Sequence, residues 1–187
     1  MLKRQFLFFF LFTSLFLSGQ DKDCLAFQGK GETFNKIRLD THLDLLFTFT
    51  SEKMRSYLNG KEAIEAQAGL TYLESGFYIL NLKIKIAIAN ATQLYGSLPV
   101  RSQINFYFLD KSQVKLRTSK KVLGIFEEKE KAYLYQTEHP LDANTIKSLK
   151  TKELDKISIA WSAGKEEYEV YDVDFFIRQF ECLARYQ

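Results

Sequence analysis

The 187-residue chain carries 26 Lys and Arg against 23 Asp and Glu, a formal charge of +3. That balance is too slight to draw a chain to nucleic acid or to an anionic membrane surface by charge alone. Of all 187 residues 46% are hydrophobic; after the first twenty positions there is no repeat, low-complexity tract or Pro/Gly/Ser-rich linker, so the length suits one domain with its own core.

Residues 1–20 read as a secretory signal peptide that is cleaved. Lys3 and Arg4 precede the thirteen uncharged residues Phe6 to Ser18, "FLFFFLFTSLFLS", and small residues follow at Ser18 and Gly19. As a helix that run spans about 20 Å, short of a ~30 Å hydrocarbon core, so no transmembrane segment is expected after cleavage. Without Lys3 and Arg4 the basic residues number 24 against 23 acidic, a charge near +1. Residues 21–187 are then expected to form a single β-rich domain. An exported chain with two cysteines, Cys24 and Cys182, allows one intramolecular disulfide. Closing so long a loop is worth roughly 4–5 kcal/mol in the chain-entropy account.

The stretch "IRLDTHLDLLFTFT" (37–50) alternates. Read as one strand, it points Asp40, His42 and Asp44 one way and Leu43, Leu45, Phe47 and Phe49 the other. Two carboxylates around an imidazole are a candidate metal or hydrolytic group. Alternate strand residues stand about 6.6 Å apart, however, which puts Asp40 and Asp44 about 13 Å apart, too far to share one ion. His42 with one Asp needs a third ligand from elsewhere, and the other histidine, His139, sits beside Pro140 in a loop-like stretch. The expectation is the wet face of a half-buried strand, with no metal and no cofactor.

Period-two alternation continues. Asn59-Gly60 is a favoured hairpin turn, "IEAQAGLTY" (64–72) and "LKIKIAI" (82–88) form a long hairpin, and "INFYFL" (104–109) turns at "DKS" into "QVKLRT" (113–118). Lys111, Lys115, Arg117 and Lys121 share parity and line one candidate face for an acidic partner or polysaccharide. "KAYLYQ" (131–136) adds another strand. A short helix is predicted near 142–150, followed by strands at 156–161 and 166–171. "AWSAG" (160–164) between those strands imitates a nucleophile elbow, but it lacks the following helix, and both histidines precede Ser162.

An amphipathic helix near 173–186 ends the chain, with Val173, Phe176, Ile177, Phe180 and Ala184 on its packing stripe and Cys182 almost opposite. The arm carrying Cys24 would lie across that opposite face. Eight to ten strands joined by short turns predict a mainly β fold, an antiparallel sandwich or barrel, α+β at the margin.

The Phe-rich leader ending near Gln20, "YQTEHPLDANTIKSLKTKELDKISI", the "EEYEVYD" strand and the helix with "FECL" together resemble small uncharacterised exported proteins of Bacteroidota. The resemblance implies periplasmic or extracellular export and brings no catalytic or ligand motif. The first expectation is thus a non-enzymatic exported β-domain that binds a protein, glycan or small-molecule partner, and not nucleic acid. Two alternatives stand beside it: a barrel-type carrier of an apolar small molecule, and a hydrolase built on Asp40, His42 or Asp44.

Overall fold

A computed structural model describes residues 26–30, 37–51, 57–58 and 62–186. The leader, Cys24 and the Asn59-Gly60 turn lie outside the described residues. Strands β1 (Ala26–Lys30), β2 (Ile37–Thr41), β3 (Asp44–Phe49), β4 (Ile64–Leu73) and β5 (Tyr78–Ile86) come first. A one-turn helix α1 (Ala91–Leu94) leads to β6 (Ser97–Leu98), β7 (Gln103–Phe108), β8 (Gln113–Arg117), β9 (Val122–Leu123), β10 (Ile125–Glu127) and β11 (Ala132–Pro140). Helix α2 (Ala143–Thr151), strands β12 (Leu154–Trp161) and β13 (Gly164–Glu169), and helix α3 (Phe175–Ala184) complete the chain.

Every strand pairing is antiparallel, as the short connections require. The larger sheet runs β1-β2-β4-β5-β11-β10, with β3 also on β4, and the smaller runs β13-β12-β7-β8. Among the described residues neither sheet closes on itself, and the architecture is an open sandwich. The alternation dictates which faces meet. Ile64, Ala66, Ala68 and Leu70 of β4 and Leu80, Leu82, Ile84 and Ile86 of β5 are buried, as are Ile104, Phe106 and Phe108 of β7 and Ile157 and Ile159 of β12. Phe47 stacks on Tyr168 at 4.5 Å between the sheets. Tyr135 meets Trp161 edge-on at 5.0 Å while its hydroxyl donates to the Gly96 carbonyl at 2.9 Å. The interior is filled by side chains.

His139 is not in a loop. Strand β11 runs on through Pro140, where only β5 pairs with it, so the missing proline N–H falls on the unpaired side. His139 therefore points into the core, 1% exposed.

Helix α2 starts where Asp142 accepts the Thr145 N–H at 2.7 Å. Helix α3 departs from its expected stripe: Ala184 is exposed and Val173 and Ile177 are only half-buried, while Phe175, Phe176, Gln179, Phe180, Cys182 and Leu183 are buried. The reason is that the helix is wedged and not laid on one sheet. Phe176 meets Phe106 of the small sheet at 5.6 Å, and Phe180 meets Tyr78 of the large sheet at 5.3 Å. Its other flank, with Gln179 and Cys182, faces the junction of β2 and β3. The face opposite the expected stripe, which carries Cys182, is thus also a packed face.

Candidate functional site

The stretch expected to be one strand is broken at His42 and Leu43. The β2 residues pair with β4 as Arg38↔Leu73, Leu39↔Tyr72 and Asp40↔Thr71, whereas β3 resumes as Asp44↔Ala68 and Leu45↔Gln67. One extra residue has entered between the two segments, and a one-residue slip turns every following side chain to the other face. Asp40 lies on the outer face beside Thr71, and Asp44 on the inner face beside Ala68. The alternation that placed Asp40, His42 and Asp44 together is therefore overturned. A second irregularity between Leu45 and Phe47 turns the chain again, burying Leu46 and Phe47 while Leu43 and Leu45 stay 41% and 52% exposed. The expected apolar face of Leu43, Leu45, Phe47 and Phe49 does not form as one row. Gly69 of β4 makes room for the break, because a Cβ there would stand 2.7 Å from the His42 carbonyl oxygen.

On the outer face Arg38 Nε–H donates to Asp40 at 2.7 Å, Thr71 also donates its hydroxyl to Asp40, and Asn81 donates to Thr71 Oγ1 at 2.9 Å. Asp40 is one link of a hydrogen-bonded row across the sheet. On the inner face the break is closed by α3. The buried Leu70 N–H donates to Thr41 Oγ1 at 2.8 Å, the Thr41 hydroxyl donates to Gln179 Oε1, and Gln179 Nε2–H donates to Asp44 Oδ2 at 2.7 Å. The chain of donors runs one way, from a backbone amide that the break has left without a ladder partner to a carboxylate. Around it lies a cleft of about 240 Å³ lined by Thr41, Asp44, Phe175, Gln179 and Cys182, with Asp172 and Arg178 paired at its rim at 2.7 Å. His42 is exposed and does not line it. Among the described residues no three His, Cys, Asp or Glu side chains stand together as metal ligands.

Sequence reasoning missed Gln179 and Thr41. A glutamine in an amphipathic helix carries no signal of burial, and Thr41 becomes the partner of a backbone amide only because the strand breaks beside it. His139 was noticed but misplaced. Its Nδ1 lies 3.2 Å from the Arg117 carbonyl, which can only accept, so Nδ1 carries the proton and Nε2 accepts from Thr137 at 2.9 Å. Burial holds its pKa below the ordinary histidine value. It ties the two sheets together beside a second cleft of about 200 Å³, lined by Thr118, Lys120, Thr137 and Glu138.

The basic residues are exposed, but they do not form one strand face. Lys111 occupies the β7–β8 turn with φ of 67°, and Lys121 lies beyond the end of β8. Lys115 and Arg117 alone share the outer face of β8. Ser162 lies in the β12–β13 turn and accepts the Ser97 N–H at 2.9 Å, which is a hairpin and not a nucleophile elbow. No helix among the described residues is long and apolar enough to cross a membrane. Comparison with protein-family models, with curated proteins and with solved structures finds no match.

Proposed function

We propose that the chain is an exported, non-catalytic binding domain that works through its surface. The observation carrying this reading is the edge of the larger sheet. Ile125 and Phe126 of β10 are 72% and 46% exposed, on a strand that among the described residues pairs with β11 alone, and Leu123, 60% exposed, precedes them on β9, which pairs with β6. An open edge with apolar side chains is the surface to which another polypeptide adds. The filled space between the sheets supports this reading over a carrier. The engagement of Asp40 by Arg38 and Thr71 and of Asp44 by Gln179 supports it over hydrolysis.

Export brings the Cys24–Cys182 disulfide with it. Ala26 pairs with Thr41, and Thr41 bonds Gln179, three residues before the buried Cys182. Cys24, outside the described residues, lies two residues before Ala26 in the sequence. Non-reducing peptide mapping is expected to give one linked Cys24–Cys182 peptide, and separate thiol peptides would remove this part of the reading.

Native mass spectrometry of the protein purified from its own host tests the binding role. A polypeptide retained by the native chain and lost from Ile125→Lys supports it. A bound apolar small molecule, or a metal lost on His42→Ala, would replace it with the carrier or the hydrolase.

A further inference from the structure

The register of the smaller sheet sets Glu167, Ser158, Asn105 and Lys115 in one row across its outer face, because Ser158 pairs with both Glu167 and Asn105, and Asn105 with Lys115. Tyr107 stands in the adjacent row beside Lys156. The ammonium groups of Lys156 and Lys165 lie 5.3 and 5.8 Å from the Tyr107 ring centre, and both lysines donate to Glu167, at 2.8 and 3.0 Å. Glu167 thus bonds two cations, and Glu169 stands opposite Lys156 on the same face. Lys115 and Arg117, about 6.6 Å apart on alternate strand positions, make no ion pair among the described residues. The face carries uncompensated positive charge.

One polar atom in this face is unmatched. Asn105, 7% exposed, donates from Nδ2 to Ser158 at 3.0 Å, while its Oδ1 is buried without a hydrogen-bond partner. Buried amide oxygens are nearly always paired, but this one is closed off from the surface and contacts nothing laid on the face. An aromatic ring and spaced, exposed cations on a sheet face are groups that recognise an acidic sugar chain. Four strands about 4.8 Å apart give a platform roughly 14 Å wide, room for a short run of sugar rings.

We propose that this outer face binds a uronate-bearing polysaccharide, with a ring laid on Tyr107 and carboxylates met by Lys115 and Arg117. Nucleic acid is the poorer fit, since Glu167 and Glu169 share the face and would oppose a phosphate backbone with a charge every ~3.4 Å along a strand. The proposal rests on the reading of the chain as a binding domain, but it uses a different surface from the β9–β10 edge.

The test is calorimetric titration of the exported chain with hyaluronan and polygalacturonate oligosaccharides, alongside maltodecaose and a dT20 oligonucleotide. At least one uronate probe is expected to bind, weaken with added salt, and exceed both maltodecaose and dT20. Lys115→Glu/Arg117→Glu and Tyr107→Ala are each expected to lower that affinity about tenfold or more, the worth of one charge-assisted or aromatic contact. Lys115 and Arg117 are exposed, so their variant keeps the fold if Tyr107→Ala does not. Ile125→Lys should bind the glycan normally, which separates a failure here from a failure of the edge reading. Binding to neither uronate probe, equal binding by the charge-reversal variant, or tighter binding of dT20 or maltodecaose would each overturn the proposal.

Discussion

Replacing Thr41 by valine removes one hydroxyl with almost no change of shape, and the structure sets what that hydroxyl is worth. Thr41 Oγ1 is the acceptor for the N–H of Leu70, a residue with 0% exposure, and the donor to Gln179, 6% exposed. Valine leaves the amide and the Gln179 carbonyl both unpaired in a buried site. An unsatisfied buried donor costs about 1–3 kcal/mol and the second group adds about 1, so the expected loss is about 2–4 kcal/mol. Gln179→Leu is milder. Leu70 keeps its acceptor, the Thr41 hydroxyl has the His42 carbonyl in reach at 3.4 Å, and the half-buried Asp44 turns to water. The expected loss there is about 1–2 kcal/mol. Urea unfolding of the chain measures both, and thermal midpoints should fall by about 2–4 °C per kcal/mol for a domain of this size. The double variant should fall short of additivity by about 1 kcal/mol, because the two side chains share a bond. Thr41→Val within about 0.5 kcal/mol of the native chain, a reversed order, or strict additivity would refute the account of the break.

Gly69→Ala forces a Cβ to within 2.7 Å of the His42 carbonyl, so a loss of about 2–3 kcal/mol is expected in the same assay; a neutral result would mean the break relaxes freely. His139 supplies the pH dependence. Its folded pKa lies below the unfolded value near 6.5, so its contribution is intact above about pH 6.5 and is lost as pH falls towards the folded pKa, at a slope of at most about 1.4 kcal/mol per unit. His139→Gln should flatten the stability profile between pH 7 and 5, and an unchanged profile would assign the effect elsewhere. Tyr135→Phe strips the buried Gly96 carbonyl of its donor and should cost about 1–2 kcal/mol by urea titration; no loss would show that carbonyl to be otherwise satisfied.

The elements legible in the sequence were those whose pattern is local. The hairpin of β4 and β5, the β12–β13 hairpin and the C-terminal helix follow from apolar spacing and turn residues within a few positions of one another. The exposed pair Lys115 and Arg117 was legible for the same reason. Alternation could not report a residue inserted at 42–43, because the break is stabilised from outside: by a glycine 27 positions later and a glutamine 137 positions later. That insertion separated Asp40 from Asp44. Nor could a helical wheel tell that α3 is gripped on two flanks, since each flank is supplied by a different sheet. Which of the polar side chains face one another across β13, β12, β7 and β8 is likewise a matter of register, set by pairing between strands about 50 residues apart. In an unbroken strand such as β4 or β5 the sequence determines which face is buried, because alternation is local; where a strand breaks, and what stands beside each side chain, only the packed sheets decide.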